Sequence, residues 1–424
     1  MKKKVLLVIT LLAVLCLTTG CMTVSGSSLE SMFGSGKSGK VNVSGDSPAA
    51  SDGDTVTISR EEYERLAKFS DLADLYDAAE YYFYQEPDSD KLLEYAARGL
   101  MAGLDDPYSF YYSPEEYAQM FEDDEGKYGG IGVMILGDGN TNTCVITRVF
   151  KNSPAEKVGI QRGDVLYRVE DDLYVTAENL NEAVSIMRGD PGEAVNVTFL
   201  RDGEEITFNI VREEVNVNQV ESTMLEPDIG YIAMYQFAGE AEKEFEKALN
   251  ELIDQGAKGI IIDLRDNTGG WVEQARYIAD LFMDAGELCY LVDRSGTEEH
   301  WWYPTKDGKV DVEIVVLVNE MSASSSEILT GALKDCSGAT VVGTNTFGKG
   351  IVQNIFSLGT NGAGFQITIA EYYSPKGNKV HQVGIAPDVE VERPEGDNGT
   401  YDFADPEKDI QLQKAIEVMR DKLN

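Results

Sequence analysis

The chain has 424 residues, enough for two or three domains with real cores, and its 42% hydrophobic and 9% aromatic content excludes a disordered protein. A formal charge of -38 disfavours nucleic acid and anionic lipid as partners, since both would meet like charge, and suits a well-solvated surface. Two histidines and five scattered cysteines, with no CxxC or Cys/His cluster, indicate neither a zinc site nor a disulfide framework. No metal and no other cofactor is expected, and Cys144, Cys289 and Cys336 are expected to be isolated and buried.

The N-terminus, "MKKKVLLVITLLAVLCLTTGC", has a basic start and an apolar run shorter than the ~20 residues a transmembrane helix needs. Its end, "LTTGC", resembles a bacterial lipobox, which implies a signal peptide over 1–20 and lipidation of Cys21. Leu17 stands one place further from the cysteine than in that pattern, and an ordinary secretory signal is the other reading. Either takes the chain out of the cytoplasm, lipid-anchored to the bacterial cell membrane or, without lipidation, secreted. Residues 21–58 are rich in Gly, Ser and Asp and have the make-up of a flexible tether. Residues 59–124 repeat apolar positions at three- and four-residue spacing, which predicts several amphipathic helices. Their aromatic faces suit either packing on the main body or self-association.

From about 125 to 214 the pattern changes to short strands, among them "IGVMIL", "CVITRVF" and "AVNVTFL", with a helix in "AENLNEAVSIM" and a hairpin turn in "RDGEE". The loop "YGGIGV", followed by "NSPAEKVGIQRGDVLYRVEDD" and "NLNEAVSIMRGDPGEAVNVTFLRDGEEITF", resembles a PDZ domain. The resemblance implies a peptide-binding loop at Gly130, Ile131 and Gly132, whose N–H groups would hold a C-terminal carboxylate while the peptide adds to a sheet edge. Glycines in a plain hairpin bend are the other explanation.

Residues 215–393 alternate strands and helices: "GYIAMYQF", "EAEKEFEKALNELIDQG", "GIIIDLR", "WVEQARYIADLFM", "EIVVLVN", a helix after "SASSSE", then "ATVVG". Strands rich in Ile and Val without alternation predict a sheet buried on both faces. Extended segments follow in "GIVQNIFSL" and "GFQITIAEYYS", and residues 394–424 hold one helix, "DIQLQKAIEVMRDKL".

"GTNTFGK", residues 343–349, satisfies GxxxxGK, but Gly350 stands where a nucleotide-binding loop needs Ser or Thr, and a strand pattern follows instead of a helix. In "SASSSE", Ser324 and Glu327 have capping-box spacing, which by itself accounts for both. The same helix start also favours negative charge and so suits an oxyanion. A serine nucleophile needs a base, and with histidines only at 300 and 381 the candidate is Lys349. A lysine serves only when neutral, its pKa brought from about 10.4 toward 7 or 8 by burial. An extended "KGIVQ" would put Lys349, Ile351 and Gln353 on one side, where the Gln353 amide could orient the amine.

The span "LVNEMSASSSEILTGALKDCSGATVVGTNTFGKGIVQ", with "IIDLRDNTGG" before it and "ITIAEYYSPKGNKVHQVGIAPDVEV" after it, resembles the C-terminal processing peptidases, the tail-specific proteases of serine peptidase family S41. The resemblance runs from about residue 60 to 393. It implies a multidomain α/β protein: an N-terminal helical region, a PDZ domain and a peptidase core similar to crotonase and ClpP. It further implies Ser324 as nucleophile, Lys349 as base, Gln353 as support, and an oxyanion hole from the Ser325 N–H with that of Gly269 or Gly270. The family's alanine after the nucleophile is Ser325 here, which leaves open which serine attacks. The expected activity is endopeptidase cleavage of extracytoplasmic proteins with accessible C-termini, with membrane attachment through a lipid and homodimerisation through the helices. A non-catalytic PDZ adaptor is the alternative, and an acyl-CoA enzyme lacks any supporting CoA pattern.

Overall fold

The computed structural model describes residues 58–124, 127–138, 141–283, 286–303, 309–359, 362–393 and 407–424. The expected signal peptide, Cys21 and nearly all of the tether lie outside the described residues, as do 394–406 of the C-terminal segment. Among the described residues, one unit comprises 115–354 with 368–424, and a smaller one 58–114 with 355–367.

In the smaller unit the expected periodicity gives α1 (Arg60–Leu66), α2 (Ser70–Tyr82) and α3 (Ser89–Ala102). Ser59 caps α1 by accepting the Glu62 N–H at 3.1 Å, and Asp88 caps α3 by accepting that of Lys91 at 3.0 Å. These helices bury none of their residues, and Leu75, Tyr81, Tyr82, Leu93 and Tyr95 are exposed. A short strand, β1 (Phe110–Tyr112), breaks the expected run of helices and pairs antiparallel with residues 364–366. Three consecutive aromatics favour the pleated backbone over a helix.

The larger unit opens with α4 (Pro114–Asp124), then β2 (Lys127–Gly130), β3 (Val133–Asp138), β4 (Thr143–Val149), α5 (Pro154–Val158), β5 (Val165–Val169), β6 (Leu173–Tyr174), α6 (Leu180–Met187), β7 (Ala194–Arg201), β8 (Glu204–Val211) and β9 (Glu213–Asn216). The sheet order is β3-β4-β5-β7-β8, with β6 beside β5, and β2 pairs separately with β9. Period-two alternation turns Cys144, Ile146, Val195, Val197 and Phe199 inward, onto Ala183 and Met187 of α6. Asp202 and Gly203 both take positive φ, 53° and 85°, the two-residue turn that matches the twist of β7 and β8.

The peptidase-like part follows: β10 (Val220–Glu226), β11 (Ile229–Met234), α7 (Ala241–Asp254), β12 (Gly259–Asp263), α8 (Val272–Asp280), β13 (Gly286–Asp293), β14 (Glu298–Tyr303), β15 (Glu313–Val318), α9 (Ser325–Cys336), β16 (Thr340–Gly343), β17 (Ile351–Ser357), β18 (Gly364–Tyr373), β19 (Val389–Glu390) and α10 (Ile410–Leu423). The sheet order is β10-β11-β12-β15-β16-β19. Every pair is parallel except β10 with β11. On one face Leu412, Ala415, Ile416 and Met419 of α10 cover Tyr231, Ile261, Val315, Leu317 and Val342. The alternate residues Ile232, Ile260, Ile262, Val316 and Val341 are fully buried as well, so the strands are covered on both sides. Two strands absent from the expectation, β13 and β14, form a hairpin whose first strand also pairs with residues 370–373 of β18. Cys144 and Cys289 are buried as expected. Cys336 is exposed, because it ends α9 on its outer side.

Candidate active site

A parallel sheet delivers its loops to one edge, and here β12, β15 and β16 are neighbours. The loops leaving their carboxyl ends, residues 264–271, 319–324 and 344–350, therefore converge where open α/β sheets carry their sites. The Ala323 N–H donates to the Asn267 carbonyl at 3.1 Å, and the Phe347 N–H to that of Ser322 at 3.0 Å.

The serine cluster is resolved by its hydrogen bonds. Ser322 Oγ donates to the Leu264 carbonyl at 2.7 Å, Ser325 Oγ to Gly270 at 2.7 Å, and Ser326 Oγ to Asn267 at 2.8 Å. Ser324, fully buried, is the exception: its Oγ makes no hydrogen bond among the described residues. The expected capping-box pairing of Ser324 with Glu327 is present. Its firm bond is that of the Glu327 carboxylate, which accepts the Ser324 N–H at 2.9 Å, while the Ser324 hydroxyl makes no cap hydrogen bond of its own. Ser324 also holds φ 60° and ψ -120°, a backbone state rare for a residue with a side chain and worth about 1–3 kcal/mol of strain. Such strain persists where surrounding contacts over-determine it, and those contacts are visible here.

Glu327 supplies most of them. Its Oε2 also accepts the Lys349 N–H at 2.9 Å, while Oε1 accepts the Gly348 N–H at 2.7 Å and the Thr346 hydroxyl at 2.6 Å. One carboxylate oxygen therefore holds the backbones of Ser324 and Lys349 together. Burial pushes the Glu327 carboxyl up, against the pull of these donated bonds. The Tyr372 hydroxyl donates to the Ser324 carbonyl at 3.2 Å, and burial keeps its pKa high, so it remains a donor. Lys349 is buried at 3% exposure. Gln353, in β17, is fully buried and donates Nε2 to Thr368 Oγ1 at 3.1 Å, which leaves its amide oxygen available.

Gly269 and Gly270 lie in the first of the three loops at φ 103° and 138°. A Cβ on Gly269 would sit 2.7 Å from Ser324 Cβ and 3.0 Å from the Ser325 nitrogen, so no larger residue fits against the serine. The Gly269 N–H is engaged by Asn267 Oδ1 at 2.9 Å. The sequence alone did not single out Asn267, Asn319, Thr346 or Tyr372. The only signal for the first three was a polar residue shortly before "TGG", "SASSSE" or "FGKG", and Tyr372 had none.

In the other candidate loop, Gly130 ends β2 opposite Glu213, Ile131 is buried, and Gly132 turns at φ 88° against Ser153. The next strand, β3, pairs only with β4 among the described residues and has a free edge. Met134 and Leu136 are exposed on it, at 41% and 58%, and its Gly137 approaches Leu180 of α6. The loop and free edge sit side by side, apart from the serine cluster in sequence.

Residues 228–391 match peptidase family S41, 129–211 match the PDZ domain, and 33–116 match the N-terminal domain of activating protease CtpB. The carboxy-terminal processing protease CtpA of Bacillus subtilis is 35% identical over 330 residues, covering 78% of this chain and 70% of that protein. The solved structure of a photosystem II D1 C-terminal processing protease aligns with a TM-score of 0.52 at 27% identity, covering 83% of this chain and 96% of that one. A carboxy-terminal-processing protease of Bartonella bacilliformis is 32% identical over 408 residues, 87% of this chain and 92% of that protein. Likeness of that extent, over a matching fold, makes the chain a member of the C-terminal processing proteases: a serine endopeptidase of family S41 that carries a PDZ domain.

Proposed function

We propose that the chain cleaves peptide bonds with a Ser324–Lys349 dyad. The observation carrying this reading is that Ser324 Oγ alone in its cluster is not hydrogen-bonded to a backbone carbonyl, while Glu327 fixes the backbones of residues 324 and 349 together. The Ser324 oxygen attacks the scissile carbonyl as its proton passes to Lys349 Nζ, and the tetrahedral oxyanion is met by the N–H groups of Ser325 and Gly270. Lys349 then protonates the departing amine, and water repeats the cycle on the acyl-enzyme. The Gln353 amide oxygen orients the lysine. Gly270 is preferred to Gly269 because the latter's N–H already serves Asn267. Lys349→Ala is the direct test: hydrolysis of an unfolded protein, followed by gel, should slow by roughly 10²–10⁴-fold. Retained turnover in the folded variant would remove Lys349 from the mechanism.

Gly130, Ile131 and Gly132 hold a substrate's terminal carboxylate, and its last residues add as a strand to the free edge of β3. A substrate whose C-terminus is amidated should be cleaved at least about tenfold more slowly at sub-saturating concentration, given that charge-assisted bonds to the carboxylate are lost. Equal rates for the free and amidated forms would place recognition elsewhere.

The enzyme works outside the cytoplasm, tethered through a lipid on Cys21 or secreted where that cysteine is unmodified. Among the described residues no helix is long and apolar enough to cross a membrane. The unburied aromatic and leucine side chains of α1–α3 are assigned to a homodimer contact. Sedimentation of the chain from residue 59 onward should give twice the monomer mass, and a monomer at tens of micromolar would overturn that assignment.

A further inference from the structure

We propose that Asn319 is a positioning residue for hydrolysis, holding the glycine turn against the nucleophile; this rests on the roles given above to Ser324 and Gly270. Asn319 follows β15 and is fully buried. Its side chain makes a reciprocal pair with Asp266, at the start of the turn "DNTGG". The Asp266 N–H donates to Asn319 Oδ1 at 2.9 Å, and Asn319 Nδ2 donates to Asp266 Oδ1 at 2.7 Å. The same Oδ1 accepts the Met321 N–H at 3.1 Å, and the Asn319 N–H donates to Ser322 Oγ at 2.9 Å, on the loop that carries Ser324. One amide thus holds two loops that diverge from adjacent strands.

The turn needs such a hold because it opens on a left-handed residue with a side chain and ends on two freely rotating glycines. Asp266 takes φ 60°, and Gly269 and Gly270 follow at φ 103° and 138°. Downstream of the pair, Asn267 passes the constraint on: its carbonyl accepts from Ala323 and Ser326, its Nδ2 donates to the Met234 carbonyl at 2.8 Å, and its Oδ1 holds Gly269. A shift of the Asp266–Asn319 pair would move the Gly270 amide relative to Ser324 Oγ. The ground-state substrate would still bind, while the developing oxyanion would lose its fit.

The test uses the full chain and three variants: Asn319→Ala, Asn319→Asp, and Asn319→Asp combined with Asp266→Asn, which exchanges the partners and restores one donor and one acceptor. Displacement of reacting groups by about 1 Å can lower turnover about 100-fold. Both single variants should therefore lose roughly 10- to 100-fold in kcat with KM nearly unchanged. Binding of a peptide boronic acid, which forms a tetrahedral adduct at the serine, should weaken in parallel, and the double exchange should recover most of both. Folded Asn319→Ala with wild-type kcat would overturn the inference. So would single variants that unfold while the double exchange restores only melting temperature, or loss of fold in all three, since the pair would then serve stability alone. Ser324→Ala, assayed beside them, separates the two readings: if it keeps activity, the dyad assignment fails; if it is inactive while the Asn319 variants turn over normally, only this inference fails.

Discussion

Ser324→Ala is expected to lower peptide hydrolysis by at least about 10⁴-fold, as removal of the attacking oxygen does in other serine peptidases. Ser325→Ala should stay within roughly tenfold of wild type. The contrast follows from what each hydroxyl does. Ser325 Oγ donates to the Gly270 carbonyl, a buried bond worth about 1 kcal/mol net, so its loss weakens the turn without removing the nucleophile. Ser324 Oγ has no such bond and stands on a strained backbone at the start of α9. The measurement is cleavage of one unfolded protein by both variants at equal concentration, with circular dichroism to establish folding. Activity surviving in Ser324→Ala and lost in Ser325→Ala would exchange the two roles.

The largest expected loss of stability is from Arg265→Met. Arg265 is buried at the end of β12, where Nε donates to Asp263 Oδ1 at 3.0 Å and Nη2 to Asp263 Oδ2 at 2.6 Å. Toward α10 it makes a two-pronged contact with Asp409, at 3.0 and 2.7 Å, and donates to Gln411 Oε1 at 3.1 Å. Burial disfavours the charge, but the two carboxylates outweigh it and hold the guanidinium protonated. Methionine would leave Asp263 and Asp409 buried without a cation, which typically costs about 3–5 kcal/mol. Asp409 also caps α10 by accepting the Leu412 N–H at 2.9 Å, so the damage should centre on the last helix. Hydrogen exchange across residues 410–423 should rise well above that of α7, together with a lower urea midpoint. Unchanged protection of α10 would show that its apolar face alone holds it to the sheet.

Much of the architecture was legible from local pattern. Unbroken Ile and Val runs in "GIIID" and "EIVVLV" require burial on both faces, and the sheet has that form. "RDGEE" is a hairpin because Asp and Gly tolerate the positive φ both positions adopt. The β13–β14 hairpin was not legible. Its strands mix charged and aromatic residues, and what makes them a sheet is the pairing of β13 with the distant β18. At the site, local pattern pointed to Lys349 and Gln353, and the family resemblance to Ser324, while four serines in six positions left each hydroxyl with equal title by pattern alone.

What the chain's residues determined by themselves is the inventory: a serine cluster at a helix start, one lysine between glycines, a glycine pair after a strand, and a PDZ-like loop. These follow from short-range rules of period, capping and turn chemistry, which act within a few residues. Only the tertiary structure decided which hydroxyl is left over. That depends on carbonyls of Leu264, Asn267 and Gly270, more than fifty residues away in the chain and brought close by parallel pairing of β12 with β15. It likewise made Glu327 more than a cap, since Lys349 and Thr346 reach its carboxylate only once β16 lies beside β15. Hydrogen bonds are satisfied over 3 Å of space, whatever the distance along the chain, and that is information a linear pattern does not carry.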